Sequence, residues 1–367
     1  MKRLLCAVLS STMLLASLTA CGGPGTDFDG TNSSSNSGSS DTLKLFTTGE
    51  YTGENLIQNF EEQYDCHVIV EYFDSNEMMY TKLSAGDAYD VVIPSDYMIE
   101  RLIDENYLQP LDKEIMTNID TLSDDCRNLG FDPDNTYSIP YFWGSVGIIY
   151  NKNNVDRADL EREGWNILQD TKYAGRLYLY DSERDSFMMA FKALGYSMNT
   201  NDEQEIQAAY EWLCQVNNTM KPVYVIDEII DNMINGTKDI GIVYSGDATY
   251  IMSENPDMAY YEPQQGTNIW HDSMVIPKKA PNPELANLFI NYVMEYDSAY
   301  DNTETVGYTT PNKDVFADVT GEGGMYEGIS AYMPRSGYDK DEEFHNNEFL
   351  RKQLAQLWIK VKAGGKG

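Results

Sequence analysis

The sequence predicts an α/β fold in two lobes, and three observations carry that expectation. Strand-like and helix-like apolar periods alternate from residue 42 to 95, a second alternation runs from about 177 to 245, and amphipathic helices close the chain. At 367 residues the chain has room for one or two domains of ordinary size.

In chain order, Leu43 and Leu45 alternate as on a strand, Leu56, Phe60 and Tyr64 recur at helical spacing, and Val68, Val70 and Tyr72 alternate again. A helix is expected around Met78, Met79 and Leu83, then a strand in Asp90-Val-Val-Ile-Pro-Ser95. Strand, helix, strand, helix, strand with short connections marks parallel βαβ units, because a parallel pair needs a crossover that a helix supplies. In the second set, Leu177–Tyr180 reads as a strand, Phe187–Leu194 and Glu203–Val216 as helices, Val223–Ile226 as a strand, and Ile240, Ile242 and Tyr244 as an alternating strand. Pro283 marks a helix start, where its missing N–H costs nothing, and Leu285, Leu288, Phe289, Tyr292 and Val293 share one face of that helix. A last helix is expected near 347–362, with Leu350, Leu354, Leu357, Trp358 and Val361 on one face.

The N-terminus reads as a leader. Met-Lys-Arg precedes an apolar run, Leu4 to Leu18, that ends in Leu18-Thr19-Ala20-Cys21. A basic start, a short apolar stretch and small residues before a cut describe a secretory signal over 1–20, too short for a membrane span. The cysteine after Leu-Thr-Ala resembles the lipobox of bacterial lipoproteins, which implies that Cys21 becomes a lipidated first residue. Two acyl chains anchor stably where one does so only marginally. Residues 21–41 are rich in Gly, Ser, Thr, Asn and Asp and read as a flexible tether.

Charge and motif content exclude several function classes. With 26 Lys+Arg against 59 Asp+Glu, a net charge of −33, nucleic acid and anionic lipid headgroups are poor partners and cationic solutes good ones. Beyond Cys21 the remaining cysteines, Cys66, Cys126 and Cys214, are odd in number and widely spaced. They form neither a disulfide framework nor a zinc site, and at most one pair. The chain lacks a nucleophile elbow, a zinc-protease helix motif, a phosphate loop and a dinucleotide fingerprint, and its 3 histidines leave little imidazole chemistry. Asp132-Pro-Asp134-Asn and Asp339-Lys-Asp341-Glu-Glu343 resemble pieces of a calcium loop without its glycine and terminal glutamate spacing. Both are read as solvated acidic turns. No metal or cofactor is expected; paired carboxylates could do acid/base work, but nothing in their spacing marks a glycosidase, and binding without catalysis is expected.

The stretch that points to function is Gly266–Pro277, where Trp270 stands two residues before Asp272. An aromatic face beside an anion is how a protein holds an organic cation, although alone such a pair reads as a core indole and a turn carboxylate. Ligands of two-lobed α/β folds sit in the crevice where loops leave strand ends. Those exits here are Thr47-Thr48-Gly-Glu-Tyr51, Pro94-Ser-Asp-Tyr97, Asp181-Ser182-Glu-Arg-Asp185, Ser245-Gly-Asp247 and Trp270-His-Asp272. Acidic and aromatic residues recur on them. An alkylammonium group leaves water only if carboxylates accept its donors and rings cover its methylenes; 27 tyrosines suit that lining.

Several ordered motifs then carry a family resemblance: Asn76-Glu-Met-Met-Tyr-Thr-Lys-Leu83, Tyr89-Asp-Val-Val-Ile-Pro-Ser95, Tyr137-Ser-Ile-Pro-Tyr-Phe-Trp-Gly144, Ala193-Leu-Gly-Tyr196 with Asn199-Thr200, Trp270-x-Asp-Ser273, and Glu304-Thr-Val-Gly-Tyr-Thr-Thr-Pro-Asn312. From about 42 to 362 the chain resembles the bacterial spermidine/putrescine-binding proteins, extracytoplasmic receptors of ATP-binding-cassette importers. The resemblance implies a type II periplasmic-binding-protein fold, with lobe 1 in 42–140 plus 272–307 and lobe 2 in 141–271 plus 308–367. It implies ammonium contacts at Asp272 and Asp185, a methylene wall at Trp270, and ring or hydroxyl contacts at Tyr51, Tyr97, Tyr244 and Tyr308. Thr48 stands where relatives often have Trp, Ser182 stands where spermidine-preferring members carry a second acid, and Asp247 resembles putrescine-binding members. The expected protein is a monomeric, lipid-anchored receptor on the outer face of the cell membrane that takes putrescine or spermidine and hands it to permease subunits. The alternatives are a receptor for another small cationic solute, or an acid/base hydrolase using Asp185 and Asp272.

Overall fold

A computed structural model describes residues 41–364. The signal segment, Cys21 and all but the last residue of the tether lie outside the described residues. Among the described residues, strands β1 (Thr42–Thr47), β2 (His67–Tyr72), β3 (Val91–Val92), β4 (Ser138–Asn151), β5 (Leu177–Tyr180), β6 (Val223–Val225), β7 (Ile240–Tyr244), β8 (Met258–Tyr261) and β9 (Ile269–Val275) form one sheet in the order β2-β1-β3-β9-β4-β7-β5-β6, with β8 on β4.

Each end of that sheet is a parallel set, as the two alternations predict. β1 pairs in parallel with β2 and β3, and β5 pairs in parallel with β6 and β7. The helices Leu56–Tyr64 and Asn76–Ala85 connect the first set, and Glu183–Leu194 with Glu203–Met220 the second. The expected helices at Pro283–Val293, with Pro at its start, and at Glu348–Lys362 are present.

Two antiparallel strands join the ends and make the molecule two-lobed. β4 is a 14-residue strand whose first half pairs with β9 (Ser138↔Val275 to Ser145↔Ile269) and whose second half pairs with β7 and β8. Thirteen of its residues are buried, which is why its sequence shows no alternation. The register slips between Pro140 and Phe142; a proline without an N–H is tolerated at such an irregularity. The slip frees Tyr141, whose hydroxyl donates to the Tyr51 carbonyl at 2.6 Å. Residues 309–312 run beside the joining strands, with bridges Trp143↔Thr309 and Leu122↔Asn312.

Two sequence expectations change. Trp270 and Asp272 lie inside β9, not on a strand exit. The acidic runs are only partly solvated turns: Asp134 and Asp339 are exposed, but their neighbours are not free in water. Asp132 is buried and accepts from the N–H groups of Thr136, Tyr137 and Ser138 and from the Ser138 hydroxyl. Asp341 pairs with Arg335 at 2.6 Å, Glu342 with the buried Lys192 at 2.7 Å, and Glu343 with His271 at 2.9 Å. Cys66, Cys126 and Cys214 are free thiols.

Candidate functional site

Residues two apart on a strand share a face, so β9 presents Trp270 and Asp272 together and turns His271 the other way. The opposing residues of β4 are Gly144 across from Trp270 and Phe142 across from Asp272. Gly144 is needed there: a Cβ would stand 2.7 Å from the indole Cζ2.

Three carboxylates and a run of rings gather at this face. The Tyr51 hydroxyl donates to Asp272 Oδ2 at 2.7 Å, Tyr308 to Asp247 Oδ1 at 2.8 Å and Tyr244 to Asp185 Oδ2 at 3.1 Å. The tyrosines are linked in series through edge-on contacts, Tyr51–Tyr308 at 6.0 Å, Tyr308–Trp270 at 5.2 Å and Trp270–Tyr244 at 6.0 Å between centroids. Edge-on packing turns ring faces into the space beside them, the arrangement that attracts cations and covers methylenes. The Trp270 Nε1 is buried without a hydrogen-bond partner among the described residues.

Local structure places each group. Ser182 caps the helix Glu183–Leu194 by accepting from the Asp185 N–H, and Asp185 in the first turn is favoured by the unpaired N–H groups of that helix start. Asp247 holds the same position in the helix Ser245–Glu254. Gly246 lets Tyr308 approach, because a Cβ there would overlap its ring.

Burial dominates the electrostatics. It pushes Asp247 up to about 6 against the Tyr308 hydrogen bond, and raises Asp272 against hydrogen bonds from Ser95 and Tyr51. Asp185 is buried and Asp247 and Asp272 are half-buried; carboxylates held ionised with so little water are costly alone, and cations offset that cost.

Of the predicted residues, Asp272, Trp270, Asp185, Asp247, Tyr244, Tyr51 and Tyr308 come together. Thr48 follows β1, half-buried, outside the ring series, and Ser182 acts as a helix cap. Tyr97 is buried, but its ring lies 3.5 Å under the Arg184 guanidinium.

Sequence reasoning missed Phe142, whose ring centroid is 5.4 Å from Tyr51, and the support behind β9. There His271 stacks on Trp143 at 5.8 Å and pairs with Glu343. Burial opposes a charged imidazole, but Cys126 and Glu343 outweigh it and raise His271 to about 10. Asp96, buried with Oδ2 unpartnered, is raised by burial and by Glu343. The signal for His271 was its place between the two chosen residues.

Comparison with known proteins bears on the fold and the family. Residues 55–324 match the family model of the bacterial extracellular solute-binding proteins. The spermidine/putrescine-binding periplasmic protein of Escherichia coli is 36% identical over 273 residues, covering 74% of this chain and 78% of that one. The crystal structure of a spermidine/putrescine ABC transporter substrate-binding protein from Streptococcus pneumoniae aligns with a TM-score of 0.78 at 34% identity, over 89% of this chain and 99% of that one. A lipoprotein of Treponema pallidum aligns at 0.74 and 25% identity, over 88% and 99%. The chain belongs to the family of bacterial extracellular solute-binding proteins, in the group that contains the spermidine/putrescine-binding proteins.

Proposed function

We propose that this protein is an extracytoplasmic polyamine receptor that delivers putrescine or spermidine to an ABC importer. The observation that carries the reading is the set of three carboxylates, Asp272, Asp247 and Asp185, each held by a tyrosine hydroxyl along the ring series that includes Trp270. An extended diamine places one ammonium at Asp272 and another at Asp247 or Asp185, with its methylenes on Trp270 and the tyrosine rings. Tyr51 and Tyr308 orient Asp272 and Asp247 through their hydroxyls and serve as ring walls; Ser182 acts on the site only by capping the helix that carries Asp185.

The lobes, 42–140 with 272–307 and 141–271 with 308–367, close over the amine because each contributes part of its shell. A ligand that contacts both lobes shifts the population toward the closed form, the form a permease would receive. Lipid on Cys21 tethers the receptor outside the cell as a monomer; among the described residues no helix is long and apolar enough to cross a membrane. Binding without turnover is the reading, since the carboxylates are occupied by phenolic hydroxyls rather than poised against a nucleophile.

Thermal denaturation of the purified protein with putrescine, spermidine, cadaverine, arginine and glucose tests this. Polyamines at 100 times Kd stabilise by about 2.7 kcal/mol and raise Tm; arginine and glucose leave it unchanged. A rise with arginine alone, or with none of the amines, overturns the reading.

A further inference from the structure

The phenol that orients Asp272 is held in place from another part of the chain. Tyr51 lies between β1 and the helix Leu56–Tyr64, and the start of that helix has no side-chain cap of its own. Three consecutive N–H groups ahead of it go instead to side chains of one helix, Tyr296–Val306. Gly53 donates to Asn302 Oδ1 at 2.6 Å, Glu54 to Thr305 Oγ1 at 3.2 Å and Asn55 to Asp301 Oδ2 at 3.0 Å. The approach at Gly53 is too close for a side chain: a Cβ there would overlap Asp301 Oδ2 and stand 2.9 Å from the Asn302 nitrogen.

Asn302 is the member of this clip that also reaches towards the ring series. Its Oδ1 lies 3.3 Å from the Tyr141 hydroxyl, which donates to the Tyr51 carbonyl at 2.6 Å. One amide oxygen therefore meets the loop both at Gly53 and, through Tyr141, at Tyr51. With the backbone held at both points, the Tyr51 ring packs edge-on to Tyr141 at 5.4 Å and its hydroxyl meets Asp272 Oδ2 at 2.7 Å. The same helix ends at Gly307, whose φ of 79° leads the chain into Tyr308, the phenol on Asp247. The phenols of two carboxylates thus depend on one helix, the first through Asn302 and the second through the backbone. Asn302 and Gly53 are both buried, so loss of the amide oxygen strands a buried N–H unless the loop moves.

We propose that Asn302 is a positioning residue of the binding site: by accepting from Gly53 and sharing the Tyr141 hydroxyl, it sets where the Tyr51 phenol stands and so how Asp272 is turned. This rests on the polyamine reading above and adds to it a residue outside the ring series.

Calorimetric Kd values for putrescine test this in the wild type, Asn302→Leu, Asn302→Asp, Tyr51→Phe and the Asn302→Leu/Tyr51→Phe double variant, each at a temperature where circular dichroism shows it folded. Asn302→Leu, similar in size but without an acceptor, should weaken putrescine by about tenfold or more. Asn302→Asp keeps an acceptor oxygen at that place and should bind within about threefold of the wild type. In the Tyr51→Phe background Asn302→Leu should cost less than about threefold, because residues that act through one another are not additive. Equal losses in both backgrounds overturn the assignment, as does an Asn302→Leu protein that melts lower but binds like the wild type. Failure of Asn302→Asp to restore binding also overturns it. Should Asn302→Leu not fold, Tyr141→Phe reads the same link from its other side: a loss of about threefold or more supports it, and unchanged affinity overturns it. Failure of every amine to bind the wild type would instead remove the polyamine reading itself, and this assignment with it.

Discussion

Gly246 and Tyr308 are in direct van der Waals opposition: the glycine lies against the ring edge so closely that any side chain there would occupy the ring's place. That contact puts the Tyr308 hydroxyl 2.8 Å from Asp247 and its ring 5.2 Å from Trp270.

Gly246→Ala should therefore displace Tyr308 and weaken diamine binding. The methyl group forces an overpacking shift costing about 1–3 kcal/mol, divided between stability and affinity. Calorimetry with putrescine should show at least a fivefold loss; unchanged affinity would mean that the Tyr308 position is irrelevant to binding.

Asp247 separates function from stability. Its folded value is raised to about 6 by burial, so the folded protein holds that proton more tightly than the unfolded chain. Stability associated with this group is fully present below the unfolded value and is lost as pH rises through about 6. Asp247→Asn should thus raise ligand-free stability by about 1–3 kcal/mol at pH 7.5 and by little at pH 3.5, while weakening diamine binding. Denaturant melts at the two pH values check the sign.

His271 behaves oppositely to an exposed histidine. With its folded value raised to about 10 against an ordinary 6.5 or so, its stabilisation is complete below that ordinary value and disappears as pH climbs through about 10. The wild type should lose on the order of 2–4 kcal/mol between pH 7 and 10.5. His271→Gln should be less stable at pH 7 and show a flatter alkaline profile; an identical profile would remove the His271–Glu343 pair from the account.

Much of this was legible in the sequence, and the residues show why. Apolar periods placed the parallel strands and their helices because each element buries one face. Tyr51, Tyr97, Asp185 and Asp247 were legible as residues following strands, and Trp270 with Asp272 as a pair two apart. The central strand β4 was not read as one element, since burial on both faces removes the alternation that marks a strand. Asp132, Asp341, Glu342 and Glu343 were read as wet because their partners, Lys192, His271 and Arg335 among them, are brought together only by the fold. The commitment of Tyr97 to Arg184 was equally invisible: nothing local at either helix start says that the two meet.

Asp272 is the residue on which the account turns, because it is held by Tyr51 on the same face of β9 as Trp270. The most direct measurement is calorimetric titration of Asp272→Asn with putrescine and spermidine beside the wild type. Loss of about 2–5 kcal/mol of binding free energy for both amines, with the melting temperature of the ligand-free variant equal to or above that of the wild type, is the predicted result. Binding of both amines at wild-type affinity would contradict it.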